Sequence, residues 1–323
     1  MIVVTASAPG KLLLFGDHAV VYGRPCIVTA VDQRLWVTVK KNGIDVFHLE
    51  APDLGLSAYS KTVKELGKKE VPKSVSFIEH VYKRFLERFP QKEGIIVTTK
   101  SDFSSNFGFG SSSAVTVAFA KALTTLYGIS YTKMELFELC YQAVLDVQGV
   151  GSGFDIAAAI WGGTIYYVSP AKIVEQLDCP DLSLIVGYTG MKADTPTLIR
   201  MVESQYKENE EAIGAIFDEM GTIVDQAREV MKDKKWKKVG ELMIKNQQLL
   251  AFLKVSSVQL DAQINASIKA GAYGAKLSGA GGGDCMVAVS DPSKKDSIES
   301  AIQKVGGIIL PVNLNARGVT IEK

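Results

Sequence analysis

Alternating or β-branched apolar runs occupy residues 2–8, 26–31, 35–41, 44–50 and 94–100, and each reads as a β-strand. Between and after them the period changes. Residues 72–89, PKSVSFIEHVYKRFLERF, carry apolar side chains at helical spacing, as does the run from about residue 111 to Leu126. A third helix is predicted over 131–148, with Thr132 as N-cap and Glu135 completing a capping box. GVGSGF interrupts the pattern, DIAAAIWGG resumes it briefly, and TIYYVS is again a strand. The texture shifts around residues 170–181. Beyond it LSLIVGYTG predicts a strand ending in a turn. Residues 196–253 predict several helices, broken near Gly221 and Asp233, and GAYGAKLSGAGGGDCMVAVS predicts a glycine-rich loop running into a strand. A chain of 323 residues exceeds what one hydrophobic core usually serves, so two domains are expected, 1–170 and 171–323.

Composition narrows the class. With 47% hydrophobic and 22% charged residues the chain is an ordinary globular protein. A net charge of +1 gives no reason to expect nucleic acid or a membrane surface as partner, although a local phosphate site needs only backbone amides and one or two cations. Cys26, Cys140, Cys179 and Cys285 form no CxxC pair, which fits a reduced, cytoplasmic protein. The start, MIVVTASAPGK, is not a signal peptide, and no run approaches the roughly 20 apolar residues that span a bilayer.

Three glycine-rich elements carry the candidate chemistry. SNFGFGSSSAV precedes a helix, whose first amides lack intrahelical partners and whose dipole is positive there. Glycines allow close backbone approach to a phosphate, and serine hydroxyls can donate to it or ligate Mg²⁺. A serine N-cap after a flexible turn would give the same string, and neither a Walker A loop nor a full GxGxxG is present. In VQGVGSGFDIAAA, three glycines approach Asp155, which opens a helix and by itself is more often a cap than a catalyst. In KLSGAGGGDC, Gly279 and Gly281–Gly283 cost much conformational entropy, which predicts a ligand contact. Near the N-terminus, ASAPGKLLLFGDHAVVYG places Lys11 after a strand start and a Pro-Gly turn, with His18, one of three histidines, shortly after.

Together these segments, in this order over residues 5 to 290, resemble the GHMP small-molecule kinases, and PGKLLLFGDHAVVYG and GYTGMKADT resemble the mevalonate-kinase branch. The resemblance implies an α+β GHMP kinase fold of two-layer sandwich domains. The N-terminal domain would be ribosomal-protein-S5-like and the C-terminal one ferredoxin-like, with the active site in the cleft between them. It also implies ATP and Mg²⁺ as cofactors, mevalonate as small-molecule substrate, and admits a homodimer. Residue by residue, Asp155 and Lys11 match the catalytic base and lysine, and Asn106, Gly108, Phe109, Gly110, Ser111, Ser112 and Ser113 match the phosphate loop. Ser112 matches the metal ligand, and Lys11, Asp17, His18, Asp155, Gly279 and Ala280 border the substrate.

Two departures stand out. Where the resemblance expects a second metal-binding acid, eleven residues before Asp155, the chain has Val144, and Asp146 lies two positions on. VQGVGSGFDIAAAIWGG and SGAGGGDC also resemble phosphomevalonate kinases, for which Lys192, Arg200 or Lys276 would be candidate cations toward a substrate phosphate. A non-catalytic ligand sensor on the same fold is the alternative from another class.

Overall fold

A computed structural model describes residues 2–52, 56–68 and 71–322, without the side chains of residues 57, 73 and 74. In chain order the elements are β1 (Val3–Phe15), β2 (Cys26–Lys41), β3 (Val46–Ala51), β4 (Leu56–Thr62), α1 (Lys73–Arg88), β5 (Ile95–Ser101), α2 (Ser111–Leu126), α3 (Lys133–Gln148) and α4 (Phe154–Trp161). There follow β6 (Thr164–Val168), β7 (Ile173–Leu177), β8 (Leu184–Tyr188), α5 (Thr195–Glu208), α6 (Glu210–Lys232), α7 (Trp236–Phe252), α8 (Val258–Lys269), β9 (Gly274–Ser278), β10 (Cys285–Val289), α9 (Lys295–Lys304), β11 (Ile308–Ile309) and β12 (Thr320–Glu322).

The first sheet runs β12-β1-β2-β5-β3-β4, with β6 pairing β2 and β7 pairing β6. The second runs β11-β8-β10-β9 and is antiparallel throughout. That order, with α8 and α9 packed against it, is the ferredoxin-like arrangement, so both expected layers are present as an α+β fold. One apolar cluster covers the first sheet and α1–α4 and continues into Val224, Met243 and Val287, and a smaller one joins Ile185, Leu260, Ile264, Ile298 and Ile302. Among the described residues no helix is long and apolar enough to cross a membrane.

Several local expectations change. The runs at 26–31 and 35–41 are one continuous strand, β2. The Pro-Gly step before Lys11 is a register shift inside β1, between Pro9 and Gly10, and not a turn. Gly10 is needed there because a Cβ would lie 3.1 Å from that of Phe109. Gly221 does not break a helix. It lies inside α6, where the missing side chain admits Arg24 and Pro25, and the break falls at Asn209, whose side chain caps α6 through Ala212 N–H. The interruption near Asp233 and the Thr132–Glu135 capping box are both present.

Candidate active site

The loop before α2 is bent by Gly108 (φ +72°) and Gly110 (φ +75°), conformations that cost a side-chain-bearing residue about 1–2 kcal/mol. Gly110 is the N-cap and supplies no side-chain cap, so the amides of Ser111 and Ser112 have no side-chain cap at the positive end of a sixteen-residue helix. Ser111 and Ser112 are half-buried on this end and Asn106 is exposed beside it. Phe109 differs: its ring is buried between Phe103 and Phe107, at centroid distances of 5.8 and 5.9 Å. Only its backbone can serve a ligand, and its carbonyl already accepts from Lys11 N–H at 2.9 Å.

Lys11 is thereby stitched twice to this loop, since Nζ also donates to the Gly108 carbonyl at 3.1 Å. Nζ lies 5.5 Å from the centroid of Phe154, the residue before Asp155. Asp155 occupies the first turn of α4. One oxygen accepts from Ile156 N–H at 3.0 Å and the other from Ser113 Oγ at 2.5 Å. Lys11 and Asp155 therefore converge on one edge of the 108–113 loop, each held by it.

Ser113 stands apart from Ser111 and Ser112. Its side chain is buried against Asp155, and its N–H is bonded to the Gly110 carbonyl at 3.1 Å, so neither donor is free for a phosphate. The signal in the sequence was the third consecutive serine, but which of three hydroxyls turns inward depends on the helix phase.

On the other side of the site, Asp17 is wholly buried. It pairs with the equally buried Lys276 at 2.6 Å and accepts from Gly279 N–H at 2.7 Å. Burial pulls the Lys276 ammonium below the usual lysine range, with Asp17 opposing it. His18 adopts φ +61°, and its Nε2 bonds the Ala280 carbonyl at 2.9 Å. Burial lowers its pKa, opposed by the bond to the Ala280 carbonyl and by Asp17. Asp17 and His18 thus grip the 279–283 loop from beneath, and Gly279 and Ala280 are brought to the same place.

Most of that loop's glycines answer to packing. A Cβ on Gly281 would lie 2.0 Å from the Val255 carbonyl oxygen, one on Gly282 would lie 2.8 Å from Leu198, and one on Gly283 would lie 2.7 Å from the Met191 carbonyl oxygen. Only Gly279, at φ +106°, has open space around it. Asp284 follows, with a carboxylate that accepts from Ala193 N–H at 2.9 Å and fills the space that a side chain on Gly108 would take. Burial raises its pKa. Asp284 therefore joins the 187–195 turn to the phosphate loop, a role its position after four glycines does not advertise.

Neither position considered for a second metal ligand reaches this loop. Val144 is in the core, 8% exposed. Asp146 is bound by Arg84 of α1 through two hydrogen bonds, at 2.5 and 2.6 Å. Among the described residues no cluster of three or more acidic, histidine or cysteine side chains could hold an ion.

Residues 76–163 match the family model for the GHMP kinases N-terminal domain and residues 223–308 match that for the GHMP kinases C-terminal domain. A mevalonate kinase from Pyrococcus abyssi is 36% identical over 99% of this chain and 98% of its own. The chain belongs to the GHMP kinases. The kinase also superimposes on a Methanococcus jannaschii mevalonate kinase with a TM-score of 0.81 at 24% identity, covering 97% of this chain and 98% of that one. A Streptococcus pneumoniae phosphomevalonate kinase gives 0.79 at 20% identity, covering 97% and 100%. Both likenesses concern the fold alone, so substrate choice within these kinases rests on the site and on the closer relatives.

Proposed function

We infer that this kinase transfers the γ-phosphoryl group of ATP to the primary hydroxyl of mevalonate, giving 5-phosphomevalonate. The observation that carries the reading is the convergence of Lys11 and Asp155 on the edge of an uncapped helix N-terminus, in a chain whose full-length relatives are mevalonate kinases. An alcohol is a poor nucleophile until its proton is removed or shared. Asp155 accepts that proton as the oxygen bonds phosphorus and the bond to the departing ADP breaks. Lys11 steadies the negative charge on the attacking oxygen, and the amides of Ser111 and Ser112 take up charge on the phosphates. Asn106 and the glycine backbone at 108 and 110 shape the same cradle.

Mg²⁺ fits this site as an ion that arrives on the nucleotide. Ser112 offers a hydroxyl at the helix end and the remaining shell would be phosphate oxygens and water, an acceptable set for an ion that keeps waters readily. Its chemistry there is charge neutralisation on the phosphates.

Phosphomevalonate as acceptor would require cations for a second phosphate. Lys276 is fully buried against Asp17 and is withdrawn from that role, leaving the exposed Lys192 and Arg200. A sensor without turnover would not need Asp155 aligned. The test is a coupled ADP-release assay with mevalonate and phosphomevalonate side by side. Mevalonate-dependent turnover is expected. A preference for phosphomevalonate, or turnover with neither, overturns the reading.

A further inference from the structure

We propose that Ser113 is a positioning residue that fixes the Asp155 carboxylate for proton acceptance and takes no part in holding the nucleotide. Its hydroxyl can donate one hydrogen, and that hydrogen goes to Asp155 Oδ2 at 2.5 Å. Its N–H is spent on the Gly110 carbonyl. Ser113 is 3% exposed on the inner face of α2, so water does not replace it easily. Oδ1 of Asp155 is tethered to Ile156 N–H, a contact within its own helix turn that fixes the first carboxylate oxygen but leaves the carboxylate plane to be set by the second. Ser113 supplies that second constraint, and supplies it from the helix whose N-terminus receives the phosphates. One helix therefore sets both the phosphate cradle, through Ser111 and Ser112, and the base, through Ser113.

The inference rests on Asp155 receiving the acceptor's proton. The experiment compares wild type, Ser113→Ala, Ser113→Thr, Asp155→Asn and the double variant Ser113→Ala/Asp155→Asn. Ser113→Ala should lower kcat about 10-fold or more, the scale of a misplaced catalytic group. Its ATP affinity, measured directly by calorimetry, should stay within about twofold, since no nucleotide contact is lost. Ser113→Thr, which keeps the hydroxyl, should recover most of the turnover. In the Asp155→Asn background Ser113→Ala should add nothing, because the two act as a unit. Crystal structures of the substrate-free wild type and Ser113→Ala should show the Asp155 carboxylate rotated or split only in the variant. A kcat unchanged in Ser113→Ala, a fall in ATP affinity, full additivity with Asp155→Asn, or an unmoved carboxylate would each overturn it. Wild type inactive on mevalonate would instead sink the reading beneath, and the substrate-free structures still decide the positioning role.

Discussion

The two glycine-rich loops that meet in this site look alike as strings and are opposite as objects. At 108–113 the glycines bend a loop that leaves the first amides of α2 without a cap and two serines half-exposed. At 279–283 the glycines let the chain pass against Val255, Leu198 and Met191, and the loop is clamped by Asp17, His18 and Ser278, whose Oγ accepts from Leu13 N–H. The first loop leaves Ser111 and Ser112 at an uncapped helix end; the second spends the N–H groups of Gly279 and Gly282 and the Ala280 carbonyl on the protein. Glycine density by itself measures close approach, and the neighbour decides whether what approaches is substrate or backbone.

The sharpest separation should come from Lys276. Removing its charge in Lys276→Met leaves Asp17 buried with the Gly279 N–H as its remaining strong partner. Breaking a buried pair from one side costs about 3–5 kcal/mol. Chemical denaturation should show a loss of that size. A variant of wild-type stability would mean that the second loop is not built on this ion pair.

The matching experiment on the first loop should move activity and spare stability. Asp155→Asn is expected to lower kcat at least about 10²-fold, or about 2.7 kcal/mol of barrier, with ATP affinity little changed. Denaturation midpoints should be close to wild type, because the residue is half-exposed at a helix start. Retention of most turnover would reduce Asp155 to a helix cap and erase the contrast between the loops.

Within the second loop the comparison can be made glycine by glycine. Gly281→Ala forces a Cβ to within 2.0 Å of the Val255 carbonyl oxygen, whereas Gly279→Ala meets nothing within 4 Å and suffers only its positive φ. Strain at φ above zero costs both about 1–2 kcal/mol, and overpacking adds about 1–3 kcal/mol at Gly281 alone. A difference of about 2 kcal/mol in unfolding free energy is expected, and equal losses would return the loop to a purely ligand-facing role.

Where the sequence pattern was informative, local physics had set the answer. The capping box at Thr132–Glu135 and the helix beginning at Ser111 follow from side-chain type and 3.6-residue spacing, which act within a turn or two. The resemblance of ordered motifs was enough to bring Lys11 and Asp155 to one loop. What stayed hidden depended on contacts distant in sequence. Lys276 meets Asp17 across 259 positions and Ser113 meets Asp155 across 42. Asp284 interlocks with Gly108 and Ala193. Gly221 misled because a helix-weakening residue was tolerated where Arg24 and Pro25 need its space.

The smallest expected effect concerns how the first loop is supplied with metal. If that loop is poor in side-chain ligands by construction, the nearby acid Asp146 should be irrelevant to it. Asp146 is committed to Arg84, in a two-pronged contact at 2.5 and 2.6 Å with both side chains about 30% exposed. The Arg84 guanidinium pulls the Asp146 carboxyl below the usual range, so the contact persists as an ion pair at neutral pH. Asp146→Ala frees Arg84 into solvent and removes a partly exposed pair, a loss of about 1 kcal/mol or less. The pair joins α1 to α3 and leaves the phosphate loop untouched, so the Mg²⁺ concentration giving half-maximal activity should match wild type. A sharp rise in that concentration would show that Asp146 exchanges Arg84 for the metal during turnover. The first loop would then depend on a side chain as the second does, and the contrast between them would narrow to the amides of α2.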